Sequence, residues 1–171
     1  RNMTALAKGL RSVSGNSIPL WTSAMPKAYI PKATGSLKSE LKVVYFPSCL
    51  NQTMGTAHSS PDHTPLVDKT VALLEKAGYE VIFPSNMNKL CCGTIWESKG
   101  MPEIADRKAA ELEEALYIAT ENGRYPVLCD QSPCLYRMRN TMKRIKLYEP
   151  AEFILTFLCD KLEFTPIKQP V

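Results

Sequence analysis

The chain has 171 residues, 44% of them hydrophobic and 22% charged, with a formal net charge of +4. That balance fits one soluble globular unit and excludes wholesale disorder, and no stretch reaches the run of about 18 apolar residues that a membrane helix needs. Residues 1–40 hold six basic residues against Glu40 alone, a local +5, while the remainder has 15 basic and 16 acidic residues, or −1; a nucleic-acid reader would carry its basic footprint on the folded part instead.

Residues 1–40 read as an irregular linker. The stretch 9–39 is rich in Ser, Pro, Gly and Lys, and Pro19, Pro26 and Pro31 break any helical period. The N-terminus has no signal-peptide core, and a start at Arg1 suggests a segment of a longer polypeptide. From residue 41 the texture changes. Residues 42–46 (KVVYF) form a β-branched and aromatic run ended by Pro47, a first strand. Leu66, Val67, Val71, Leu74 and Ala77 recur near the helical period, and Gly78 is the expected stop. Residues 79–83 (YEVIF) repeat the strand signal. The longest helical stretch is 102–122, closed by Gly123; residues 125–129 (YPVLC) are a third strand. Ser132 before Pro133 is an N-cap candidate for a helix to about residue 143, residues 145–148 (IKLY) form a fourth strand, and Pro150 opens a last helix through residue 162. The alternation predicts an α/β domain over 41–165: a small doubly wound parallel sheet of about four strands with flanking helices.

Six cysteines in a chain read as cytoplasmic point to metal or redox chemistry rather than structural disulfides. Cys49, Cys91, Cys92 and Cys129 fall at or just past the first three strands, and Cys134 opens the next helix, so the five are expected to meet beyond the carboxyl edge of the sheet. Five thiolates gathered there would repel one another unless a cation compensates. Gly93 lets the backbone turn with positive φ after the vicinal pair. All-sulfur ligation selects zinc or an iron–sulfur cluster, and softness alone does not separate them; five cysteines exceed what tetrahedral zinc accepts, and the adjacent Cys91 and Cys92 can reach different irons. Thiol–disulfide catalysis would prefer a C-x-x-C opening a helix, which is absent. Cys159 reads as core, Trp21 and Trp96 as packing anchors, and His58 and His63 as loop residues. The basic run Arg137, Arg139, Lys143, Arg144 and Lys146 reads as a solvated helix face, with docking to an acidic partner or peripheral contact at the inner face of the membrane as the other option.

VYFPSC (44–49), LCCGTIWESKG (90–100) and VLCDQSPC (127–134) resemble the cysteine-rich CCG domain found in heterodisulfide reductases, in the iron–sulfur subunit of glycolate oxidase and in FAD-linked D-lactate dehydrogenases. The last group is most similar. IPLWTSAMPKA (18–28) resembles its connector from a ferredoxin-like domain, and EFILTFLCDKLEFTPIKQPV (152–171) resembles the bridge to a second CCG half. The resemblance implies that Cys49, Cys91, Cys92, Cys129 and Cys134 hold a 4Fe-4S cluster, the noncubane type included, with Gly93 beside it. It also implies a fragment of an FAD-dependent 2-hydroxy-acid oxidoreductase, acting on D-lactate or a glycolate-like substrate, that relays electrons from flavin to a quinone, cytochrome or disulfide acceptor. Hydrogen bonds to cluster sulfur, burial and Lys99 or Arg137 would then set the potential. FAD, the ferredoxin-like domain and the second CCG half would lie in other parts of the parent, with 1–40 the incoming linker and 166–171 the start of the outgoing one. The chain alone would not oxidise a hydroxy acid. One departure is plain: the family's terminal C-x-x-C is here Cys129 and Cys134 with four residues between them, Gln131 standing where the first partner would fall. The alternative is a zinc-stabilised docking module without a redox role.

Overall fold

A computed structural model describes residues 2–19, 21, 25–26, 28–31, 37–57 and 59–165. The elements run in chain order α1 (Asn2–Ser14), β1 (Lys42–Phe46), α2 (Cys49–Thr53), α3 (Leu66–Lys76), β2 (Glu80–Ile82), α4 (Thr94–Glu97), α5 (Pro102–Ala119), β3 (Val127–Cys129), α6 (Ser132–Thr141), β4 (Leu147–Tyr148) and α7 (Pro150–Phe153). The four strands form one sheet in the order β2-β1-β3-β4, and every pairing is parallel. The fold class is the one expected from the alternation of strand and helix signals.

β1 is central and buried on both faces, which is why its sequence is a continuous apolar run rather than an alternation. Its side chains still divide by the pleat. Val44 and Phe46 join Ala109, Leu112 and Leu116 of α5 and Leu135 and Met138 of α6 in one core. Val43 and Tyr45 join Val67 and Leu74 of α3, Phe153 of α7 and Leu158 in the other. Two helix layers thus sandwich the sheet. The strand order reverses direction at β1: the chain moves outward to β2, then returns past β1 to β3. A crevice at the carboxyl ends of the strands, beside this reversal, is where such sheets bind ligands.

The strands are shorter than the sequence runs: 79–83 yields Glu80–Ile82, 125–129 yields Val127–Cys129 and 145–148 yields Leu147–Tyr148. Edge strands such as β2 and β4 pair on one side only, so their ends lack the hydrogen bonds that would extend them. The stretch read as irregular linker carries helix α1, which exposes Met3, Leu6, Leu10 and Val13 and buries Ala7. Helix α6 starts at Ser132, with Gln131 in the capping position and no side-chain cap bond, so the Ser132 cap is not formed; Pro133 does lie in the first turn. The last helix departs most. After the Glu149–Glu152 capping box it runs as α-helix only to Phe153 and continues as a π-helical turn over Ile154–Leu158. That wider turn rotates the following residues off the apolar face: Leu158 is buried, but Leu155 and Cys159 are exposed, which corrects the core reading of Cys159. Trp21 is 46% exposed and is not a packing anchor, whereas Trp96 is half-buried. The expected outgoing connection at 166–171 and the loop reading of His58 lie outside the described residues. Among the described residues no helix is long and apolar enough to cross a membrane.

Leu112, fully buried between α5 and the sheet, is expected to lose about 3 kcal/mol of stability as Leu112→Ala. Ile118→Ala, on the exposed side of the same helix, should stay within about 0.5 kcal/mol, both read by urea denaturation. Equal effects would place the core elsewhere.

Candidate functional site

The carboxyl rim of the sheet collects five of the six cysteines. Cys49 begins α2 directly after β1, and its cap residue Ser48 accepts a hydrogen bond from the Asn51 amide. Cys91 and Cys92 follow the short 3-10 turn Met87–Lys89 beyond β2. Cys129 ends β3, and Cys134 sits in the first turn of α6. Cys49 is exposed, Cys91 and Cys134 are half-buried, and Cys92 and Cys129 are buried.

Cys92 is the node of the group. Hydrogen bonds from Cys134 and then from Cys91 hold its thiol well below the ordinary range, and its sulfur lies 3.2 Å from Thr94 Oγ1. The same bonds hold the Cys134 and Cys91 thiols above their ordinary range, because each spends its proton on Cys92. The Gly93 amide donates to Cys91 Sγ at 3.4 Å. Repulsion from Cys49 reaches both Cys91 and Cys134, and repulsion from Cys129 reaches Cys134. Burial pushes the Cys129 thiol up to about 12. The cysteines on the three loops therefore lie close enough to influence one another, with Cys92 hydrogen-bonded to both Cys91 and Cys134. Among the described residues no set of three or more His, Cys, Asp or Glu side chains is arranged to hold one metal ion.

Two residues hold the rim together: Asp130, not singled out from the sequence, and Arg137, placed near the cluster from the sequence but read as part of a solvated face. Asp130, next to Cys129, accepts from the Tyr45 hydroxyl at 2.8 Å, from the Ser48 amide at 2.8 Å and from Asn51 Nδ2 at 2.9 Å. One carboxylate thereby ties the end of β3 to the loop that presents Cys49. Burial, and then the charge of Asp130, holds the Tyr45 hydroxyl above its ordinary range, so it stays a donor. The only sequence signal was position: an acid at the carboxyl end of a buried strand, beside a cysteine.

Arg137 is the larger correction. Read as part of a solvated face, it is 6% exposed, whereas Lys143, Arg144 and Lys146 are exposed as expected. Its Nε donates to the Cys92 carbonyl at 3.1 Å, and its two terminal nitrogens pair with Glu97 of α4 and with Asp106 of α5, the latter at 2.7 Å. Burial works against its charge, yet the two carboxylates hold the guanidinium above its ordinary value. Arg139 pairs with Glu152, and Arg144 with Glu114. Lys99 is exposed before α5, and His63 is an exposed loop residue whose carbonyl accepts from Thr56. Cys49 itself lines an open groove of about 470 Å³, together with Gln52, Thr53, Asn86, Met87 and Leu90.

Gly93 has φ +91° and caps α4. A Cβ there would stand 2.4 Å from the Ala105 carbonyl oxygen and 2.9 Å from Arg137 Nε. The glycine after the vicinal pair is thus required by close approach as well as by its dihedral angle.

A family model described as a cysteine-rich domain, CCG, matches residues 43–139. No curated protein and no solved structure matches the chain.

Gly93→Ala should cost about 2 kcal/mol or more in chemical denaturation, since a backbone carbonyl must move and the αL backbone is strained; a value near zero would show that the loop yields freely. In metal-free reduced protein at neutral pH, ultraviolet thiolate absorbance should be present in the wild type and largely missing from Cys92→Ser. Equal absorbance in the two would remove Cys92 from the centre of the group.

Proposed function

The chain belongs to the cysteine-rich CCG domain family, and from that premise we propose that it holds an iron–sulfur cluster and serves as the electron-transfer module of an oxidoreductase. The observation that carries this reading is the gathering of five thiols, on loops after three parallel strands, about the Cys92 sulfur.

The donor set fits such a group. A single tetrahedral zinc with bonds of about 2.3 Å brings four sulfurs to about 3.8 Å from one another. Among the described residues there is no such set, while the rim offers five thiols, more than one tetrahedral zinc accepts. Soft thiolate ligands in that number suit a polynuclear iron centre. Cys49, Cys91, Cys92 and Cys134 would hold it from the rim, and Cys129 from the floor. When bound, the cluster supplies reversible one-electron storage. The chain's own residues do the rest. Hydrogen bonds from Cys134 and Cys91 favour the Cys92 thiolate, while Cys91, Cys129 and Cys134 are held above their ordinary range, so loading is coupled to proton release. Asp130 and Gly93 keep the ligand loops in register. Leu135 and Met138 keep water from the buried side of the rim.

The similarity of VYFPSC, LCCGTIWESKG and VLCDQSPC to FAD-linked D-lactate dehydrogenases supports a finer reading: one CCG half of an FAD-dependent 2-hydroxy-acid oxidoreductase, reached through residues 1–40 and continued through 166–171. Its partners would be the flavin and ferredoxin-like domains, a second CCG half and a quinone, cytochrome or disulfide acceptor, in the cytoplasm or at the inner face of the membrane.

Anaerobic reconstitution with iron and sulfide should give a coloured protein with about four irons and four labile sulfides per chain. Cys92→Ser should lose the colour, and Cys159→Ser, which alters an exposed residue away from the rim, should keep it. Stoichiometric zinc retained without iron uptake would overturn the reading.

A further inference from the structure

Arg137 lies one helical turn beyond Cys134 on α6, so its side chain leaves from the face that presents that thiol. It reaches three acceptors on three segments, each through a different nitrogen: the Cys92 carbonyl, Glu97 and Asp106. A planar guanidinium meets that demand, and a single ammonium does not. Stability offers no reason for the arrangement. The carboxylates of Glu97 and Asp106 are 56% and 71% exposed and gain little from pairing, while burying the guanidinium carries a desolvation cost that an apolar residue would avoid. What the arrangement does achieve is geometric. The carbonyl that Arg137 holds belongs to the residue whose sulfur is drawn to Cys134, and Gly93 leaves Nε the room to reach it.

We propose that Arg137 is a positioning residue for the thiol rim: it fixes the Cys92 backbone against α6 and so sets the spacing of the Cys92 and Cys134 sulfur atoms before any metal arrives. Its effect on a loaded cluster rests on the iron–sulfur reading above; its effect on the spacing does not.

The test uses the full chain, reduced and metal-free, exposed to diamide. The reagent takes two electrons from the Cys92 thiolate and the Cys134 thiol, with one proton from Cys134 and one from water, and becomes the hydrazine, while an S–S bond forms between Cys92 and Cys134, mapped by mass spectrometry. Arg137→Lys keeps the charge and loses the fork; the rate of that disulfide should fall about tenfold, as misplaced reacting groups do. Asp106→Ala removes one exposed acceptor, should produce a smaller fall, and decides the matter if Arg137→Lys does not fold. Arg144→Lys, an exposed ion-pair residue distant from the thiols in sequence, should match the wild type. Alkylation of the buried Cys129 should stay at the wild-type rate in the two test variants. The proposal is overturned if these variants form the disulfide at the wild-type rate, or if Cys129 alkylation accelerates along with the change, since that marks general loosening. After reconstitution, iron release to a chelator should be about tenfold faster in Arg137→Lys. If the wild type takes up no iron, the cluster reading falls while the disulfide rates still decide the role of Arg137.

Discussion

Sulfur atoms brought to one edge of a sheet repel one another as soon as more than one has lost its proton, and the rim is organised around that repulsion. Cys92 is favoured as thiolate because Cys134 and Cys91 donate to it, while those same bonds and the burial of Cys129 hold the other three thiols above their ordinary range. Further ionisation needs a cation. The apo protein is therefore a site with its charge withheld, and the same hydrogen bonds that quiet the thiols keep them close enough to be used together.

Holding such a group in place is the work of the sheet and of two charged side chains. Parallel strands deliver their carboxyl ends to one side, so loops that follow β1, β2 and β3 arrive together although about 40 residues separate them. Asp130 joins the β1 and β3 loops, and Arg137 joins the β2 loop to α4, α5 and α6. Between them the three ligand-bearing segments are cross-tied by polar contacts outside the thiol ring, leaving the sulfurs free of structural duties.

Much of this was legible in the sequence, for physical reasons. KVVYF followed by a proline reads as a buried strand because β-branched and aromatic residues fill both faces of a central strand, and cysteines placed after such runs must converge at the strand ends. Gly93 was legible as a turn, but its contact with the Ala105 carbonyl was not, since close approach depends on where α5 packs. Arg137 misled because a charge amid other charges on a helix reads as solvated; only the tertiary placement of Glu97 and Asp106 gives it partners inside. Cys159 misled because its apolar neighbours fit a 3.6-residue period that the π turn over Ile154–Leu158 breaks. Helix α1 was hidden by the prolines that follow it.

The place of β2 in the sheet has a mechanical result. Cys129 closes a strand paired on both sides, whereas Cys91 and Cys92 hang from a three-residue strand paired only with β1. The vicinal pair therefore takes its position from Gly93 and from the Arg137 bond to the Cys92 carbonyl rather than from the ladder. The side of the site that the sheet supports least is thus the one the guanidinium braces.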